Sequence, residues 1–119
     1  MHVFMRTATN PDWRNQTEER LPGAVARAED DAAATFHGDL PALRQWDFDT
    51  VRGQITQPSL LMVGAISERL VRRVSAMFRD AVPASEYAVI EGADHSMATT
   101  RPEAVAPVVA EFLNRHPLT

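Results

Sequence analysis

The stretch Ala88-Val89-Ile90-Glu91-Gly92-Ala93-Asp94-His95-Ser96-Met97 decides how the rest of this 119-residue chain is read. A short β-branched run is broken by glycine and hands a histidine to a turn. An open α/β sheet presents a general base in this way, on a loop beyond the carboxyl end of a rigid strand. Upstream, Pro58-Ser59-Leu60-Leu61-Met62-Val63-Gly64-Ala65 is a second such run. Its unbroken apolar core, Leu60 to Val63, is the pattern of a parallel strand covered on both faces. Between the two runs, Leu70, Val71, Val74, Met77, Phe78 and Ala81 keep a helical spacing. Ser67 is placed to cap that helix, Glu68 to sit in its first turn and Pro83 to close it. Strand, helix, strand predicts two parallel strands joined by a right-handed crossover.

Beyond the histidine, Pro102 suits a first helical turn, and Val105, Val108, Val109, Phe112 and Leu113 share one face. Pro107 lies inside this segment. It has no amide hydrogen to donate and crowds the preceding turn, which predicts a kink or a late start.

The first half reads as helical but weaker. Residues 1 to 21 are polar and irregular, with Asn10-Pro11-Asp12 as a turn and Trp13 as the large apolar anchor. From Pro22, the positions Ala24, Val25, Ala28, Ala32 and Phe36 predict an amphipathic helix ending near Gly38, with Glu29-Asp30-Asp31 on its wet side. Asp39 and Pro41 start a second short helix through Trp46, and Asp47 to Pro58 reads as a connector. Neither repeats nor low-complexity tracts divide the chain.

Composition narrows the function classes. The formal net charge is -4, and Arg69, Arg72 and Arg73 form the sole basic cluster, which reads as a solvated helical face. This argues against nucleic acid as a partner. There are no cysteines, which removes disulfides and thiolate metal ligands and fits a cytoplasmic location. Neither a signal-peptide core nor a membrane-length apolar run is present. The four histidines lack metal-site spacing, so no metal is expected. The Gly64 and Gly92 turns lack the flanking glycines of a dinucleotide cradle, so no cofactor is expected either.

The order and spacing of these motifs resemble the C-terminal part of an α/β-hydrolase. The resemblance is carried by Pro58 to Gly64, by Val82-Pro83-Ala84-Ser85 with Tyr87 to Gly92, by Gly92-Ala93-Asp94-His95, and by Arg101-Pro102-Glu103-Ala104-Val105 with Glu111-Phe112-Leu113. It implies a partial α/β-hydrolase fold over 58–119, with two parallel strands, a crossover helix and a C-terminal helix. A helical cap-like segment over 1–57 precedes it. It further implies ester or amide hydrolysis of a small-molecule substrate by a serine nucleophile, with His95 as the base. In the family pattern the acid lies three residues beyond the strand-end glycine, and that position here is Ser67. The neighbouring Glu68 fits two roles, substitute acid or dipole partner in the helix's first turn. In the cap, Phe36, Trp46 and Phe48, with Trp13 and Leu43, fit either a substrate pocket or packing of cap on core.

A serine hydrolase also needs a nucleophile on a sharp Gly-x-Ser-x-Gly turn and amide donors for the oxyanion. The glycines are Gly23, Gly38, Gly53, Gly64 and Gly92, and no two are four apart. The expectation is a chain inactive alone, completed by an N-terminal half of a longer protein or by a partner chain, or left as a remnant. A contrasting expectation is a non-enzymatic interaction domain, homodimeric through an unpaired strand edge. His95 itself has a plainer reading as a loop histidine bonded to nearby backbone. Asp94 reads as a turn former, and His2, His37 and His116 as surface residues.

Overall fold

The computed structural model describes residue 5 and residues 9–43, 45, 47–50 and 52–117. The two apolar runs form strands β1 (Leu60–Gly64) and β2 (Glu86–Ile90). They pair in parallel, with Leu60 opposite Glu86, Met62 opposite Ala88 and Gly64 opposite Ile90. The mixed α/β character follows from the helices that flank this pair. Helix α1 is Trp13–Arg20, α2 Ala24–Asp30 and α3 Ala32–Ala34. A π-turn, Thr35–Asp39, leads into α4 (Leu40–Leu43). Helix α5 (Arg69–Ala81) crosses between the strands, α6 (Met97–Thr100) follows the histidine turn, and α7 (Pro102–Arg115) ends the chain's regular structure.

Strand alternation puts Met62, Gly64, Ala88 and Ile90 on one sheet face. There Ile90 joins Ala93 and Val105 in the core, with Met62, Met97, Ala104, Val108 and Val109 packed around them. Helix α7 supplies Val105, Val108 and Val109 from positions three and four apart, the spacing of a buried stripe. It starts at Pro102 and runs continuously through Pro107, so the late start does not occur. At the far end of the strands Glu86 accepts from both Arg115 and His116, the latter at 2.9 Å. His116 is therefore a half-buried tie between helix end and strand start, not a bare surface residue.

On the opposite face α5 packs against β1. It tucks in Val71, Phe78 and the fully buried Ala81, but leaves Leu70, Val74 and Met77 exposed. Tyr87 and Val89 of β2 are exposed as well. Cover on both faces is thus reached only by Val63 and Gly64 in β1, the end nearest the turns. The bonds Glu86 N–H to Ser59 O and Ala65 N–H to Ile90 O, both 2.9 Å, fix which backbone groups look toward β2. By alternation the amides of Leu60 and Met62 face the other way. Among the described residues no strand pairs with that edge.

The N-terminal half departs from its sequence pattern in three places. Trp13–Arg20 is helical although it has no apolar periodicity. What anchors it is Trp13, 3% exposed, together with Glu18, whose carboxylate accepts the Gly23 and Val25 amides at 2.8 and 2.9 Å. Those amides begin α2, where a negative charge is favoured, and the same bonds hold the Glu18 carboxyl below its usual range. Pro22 stays in the turn and the helix begins at Ala24. Gly38 and Asp39 do not end a helix. The chain widens into the π-turn ahead of Pro41, which has no amide hydrogen for the usual bond four residues back. Among the described residues no helix is long and apolar enough to cross a membrane.

Candidate functional site

Both strands deliver their carboxyl ends to the same place, and a glycine lets them meet there. A Cβ built on Gly64 would lie 2.5 Å from the Asp94 carbonyl oxygen and 2.6 Å from the Ala93 carbonyl carbon, closer still to the Ala93 oxygen. No side chain fits, so the turn after β1 lies directly on the turn after β2. The Ile66 amide closes the contact by donating to Ala93 O at 3.0 Å. On the second turn Gly92 takes φ +64°, a left-handed conformation that glycine tolerates without a Cβ penalty. Arg101 reaches back from the start of α7 to donate to Gly92 O at 3.2 Å.

Asp94 organises this turn. It is buried, and its Oδ1 accepts the Ser96 amide at 2.8 Å and the Ser96 hydroxyl at 2.5 Å. The amide bond two residues on is the local bond by which aspartate forms turns. Oδ2 accepts Asn10 Nδ2 at 2.5 Å, across 84 residues of sequence. Burial alone would raise the Asp94 carboxyl, but the bonds from Ser96 and Asn10, with the nearby His95, outweigh it and hold the group below its usual range. Asn10 also donates to Gln16 Oε1 at 3.2 Å and accepts the Asp12 amide at 2.9 Å. The Asn10-Pro11-Asp12 turn of the sequence is therefore a clasp between α1 and the histidine turn. Its turn signature was legible, but its partner was not.

The residues expected at a site divide as follows. His95 stands exposed on the turn after β2. Glu68 is exposed immediately before α5. It occupies the N-cap position expected for Ser67, without a side-chain capping bond. Ser67 is instead 3% exposed, and its hydroxyl has no hydrogen-bond partner among the described residues. Its backbone explains the shift, since the Ser67 amide turns back to Gly64 O at 3.0 Å and carries the side chain inward. Phe36 is half-buried in the π-turn. Trp46 lies outside the described residues, and Phe48 is described only by its backbone in a 3-10 turn, Phe48–Thr50.

A cleft of about 460 Å³ opens where α1 faces the two turns. Asn10, Gln16, Glu19 and Arg20 line one wall, and Ile66, Gly92, Asp94, Thr100 and Arg101 the other. His95, Glu68 and Phe36 do not line it. Among the described residues no group of three or more histidine, aspartate or glutamate side chains could hold a metal ion. No family model, curated protein or solved structure matches the chain.

Proposed function

We propose that the chain carries the base-bearing part of an α/β-hydrolase-type site, acting on a small ester or amide, with the serine nucleophile and oxyanion donors supplied from outside these 119 residues. The observation behind this reading is the seating of the Gly64 turn on the Ala93-Asp94 turn at the carboxyl ends of two parallel strands. A hydrolase of this kind needs acid and base on those two turns. In this reading His95 takes the serine proton and returns it to the leaving group. Glu68, exposed just beyond the first turn, is the candidate acid that would orient the imidazolium. Ser67, at the position the family resemblance gives to the acid, carries no charge for that task. The reaction uses no cofactor.

The test is an intact-mass measurement after exposure of the 119-residue chain to a fluorophosphonate, which bonds to an activated serine. The expected result is no adduct. An adduct lost in His95→Ala would place a working nucleophile within this chain and overturn the division of the site. In the protein isolated with any partner it retains, His95→Ala should lower ester hydrolysis by about 10²–10⁴-fold. Unchanged hydrolysis would remove His95 from the chemistry.

A second reading, association with another copy through the β1 edge, is favoured by the outward amides of Leu60 and Met62. Leu60→Pro deletes one of those donors without touching the ladder to β2. If the edge pairs, sedimentation should show a dimer in the parent chain and a monomer in Leu60→Pro. A compact monomer in both would dismiss this reading.

A further inference from the structure

The cleft between α1 and the turn after β2 has a recognition chemistry of its own, separate from His95. Several of its charged groups are already committed. Asp94 is satisfied by three donors from Ser96 and Asn10. The Arg101 Nε donates to Glu103 at 3.0 Å and its Nη1 to Gly92 O, so this guanidinium is held at two points. Its remaining nitrogen, Nη2, makes no hydrogen bond among the described residues. Arg20, at the end of α1, makes neither a hydrogen bond nor an ion pair among them, although it attracts Glu103 at longer range. The remaining carboxylate on the wall is Glu19. Ile66, 68% exposed, gives the cleft an apolar surface on the wall it shares with Arg101.

We propose that this cleft binds a small organic monoanion, a short-chain carboxylate, whose carboxylate group takes Arg20 and the open edge of Arg101 and whose hydrocarbon lies on Ile66. The planar guanidinium of Arg20 can meet a carboxylate in two parallel bonds, and Arg101 adds Nη2 from a guanidinium already fixed at two points, which loses little freedom on binding. The volume falls within the range of small-molecule sites. Glu19 sets the charge of the ligand. It repels a second negative group, so a monocarboxylate binds better than a dicarboxylate.

The experiment is a titration of the full 119-residue chain with butyrate, succinate and 1-butanol, followed by amide NMR shifts. Butyrate should bind saturably and move Gly92, Thr100 and Arg101. Succinate should bind more weakly and butanol should leave these amides unmoved. Arg20→Gln and Arg101→Gln should each weaken butyrate by about tenfold, the loss of one charge-assisted pair. Glu19→Gln should narrow the gap between butyrate and succinate. Because Arg101 also ties down Gly92, Arg20→Gln is the deciding variant: it sits at an exposed helix end. Butyrate binding unchanged in a folded Arg20→Gln, equal shifts with butanol, or no saturable butyrate shift in the parent chain would each overturn the proposal.

Discussion

Gly64→Ala is the sharpest test of how the two strand-end turns are held. The added Cβ would meet Asp94 O at 2.5 Å and Ala93 C at 2.6 Å, and both are backbone atoms that no rotamer change can move. The turns must separate. Overpacking of this kind costs about 1–3 kcal/mol. Separation also breaks the Ile66 to Ala93 bond, worth roughly 1 kcal/mol. The sum, about 2–4 kcal/mol, is a large share of the ~5–15 kcal/mol that holds a domain together. It should lower the melting temperature by on the order of 10 °C. Gly38→Ala is the matched control, because nothing lies within 4 Å of its added Cβ and it sits within helical structure. It should be neutral or stabilising by up to ~1 kcal/mol. Urea unfolding followed by circular dichroism reads both. Gly64→Ala within about 1 kcal/mol of the parent would refute the close seating of the turns.

Other consequences are equally open to measurement. Ile90→Ala, at a core position 3% exposed, should cost about 2–5 kcal/mol, whereas Met77→Lys on the exposed flank of α5 should cost under about 1 kcal/mol; comparable losses would mean the two faces are misassigned. The Asp94 carboxyl is depressed in the folded chain, so the unfolded chain binds protons first as pH falls. Its contribution is complete above the ordinary aspartate value near ~4 and disappears as pH drops through the lower folded value. Urea midpoints taken through this acid range should fall less steeply in Asp94→Asn, and an identical slope would count against the Asp94 cluster. His95→Ala should leave stability within about 0.5 kcal/mol, because the ring is exposed. A larger loss in thermal unfolding would mean the imidazole is a structural bond.

The strand-helix-strand unit was legible because its signals are local and strong. Leu60 to Val63 and Tyr87 to Ile90 form the strands, and the 3.6-residue spacing between them forms α5. The division of β2, with Tyr87 and Val89 out and Ile90 in, was not legible, because both faces of the strand are apolar and which one stayed open depended on what else packs there. Helix α1 was not legible. Its one deeply buried side chain is Trp13, and the carboxylate of Glu18 stabilises the start of the next helix instead of its own. Such a helix is specified by tertiary bonds, which single-chain periodicity cannot register. Asn10 was hidden for the same reason, since its partner lies 84 residues away. At the turns, the exposed His95 matched the position its motif gave it, while the inward rotation of Ser67 followed from a backbone bond to Gly64 that no residue pattern announces.

The bond between Asn10 and Asp94 also bears on the order in which the molecule is assembled. A ribosome produces Asn10 first, yet its acceptor exists only once β2 has formed and the turn beyond it has closed around Ser96. Until then α1 lacks α6, a helix it packs against, and this polar segment with its single tryptophan must wait undocked. Closing so long a loop carries an entropic cost before any contact compensates for it. Docking of α1 on the turn after β2 is therefore a late step, one that the strands and the turn between β2 and α6 must precede.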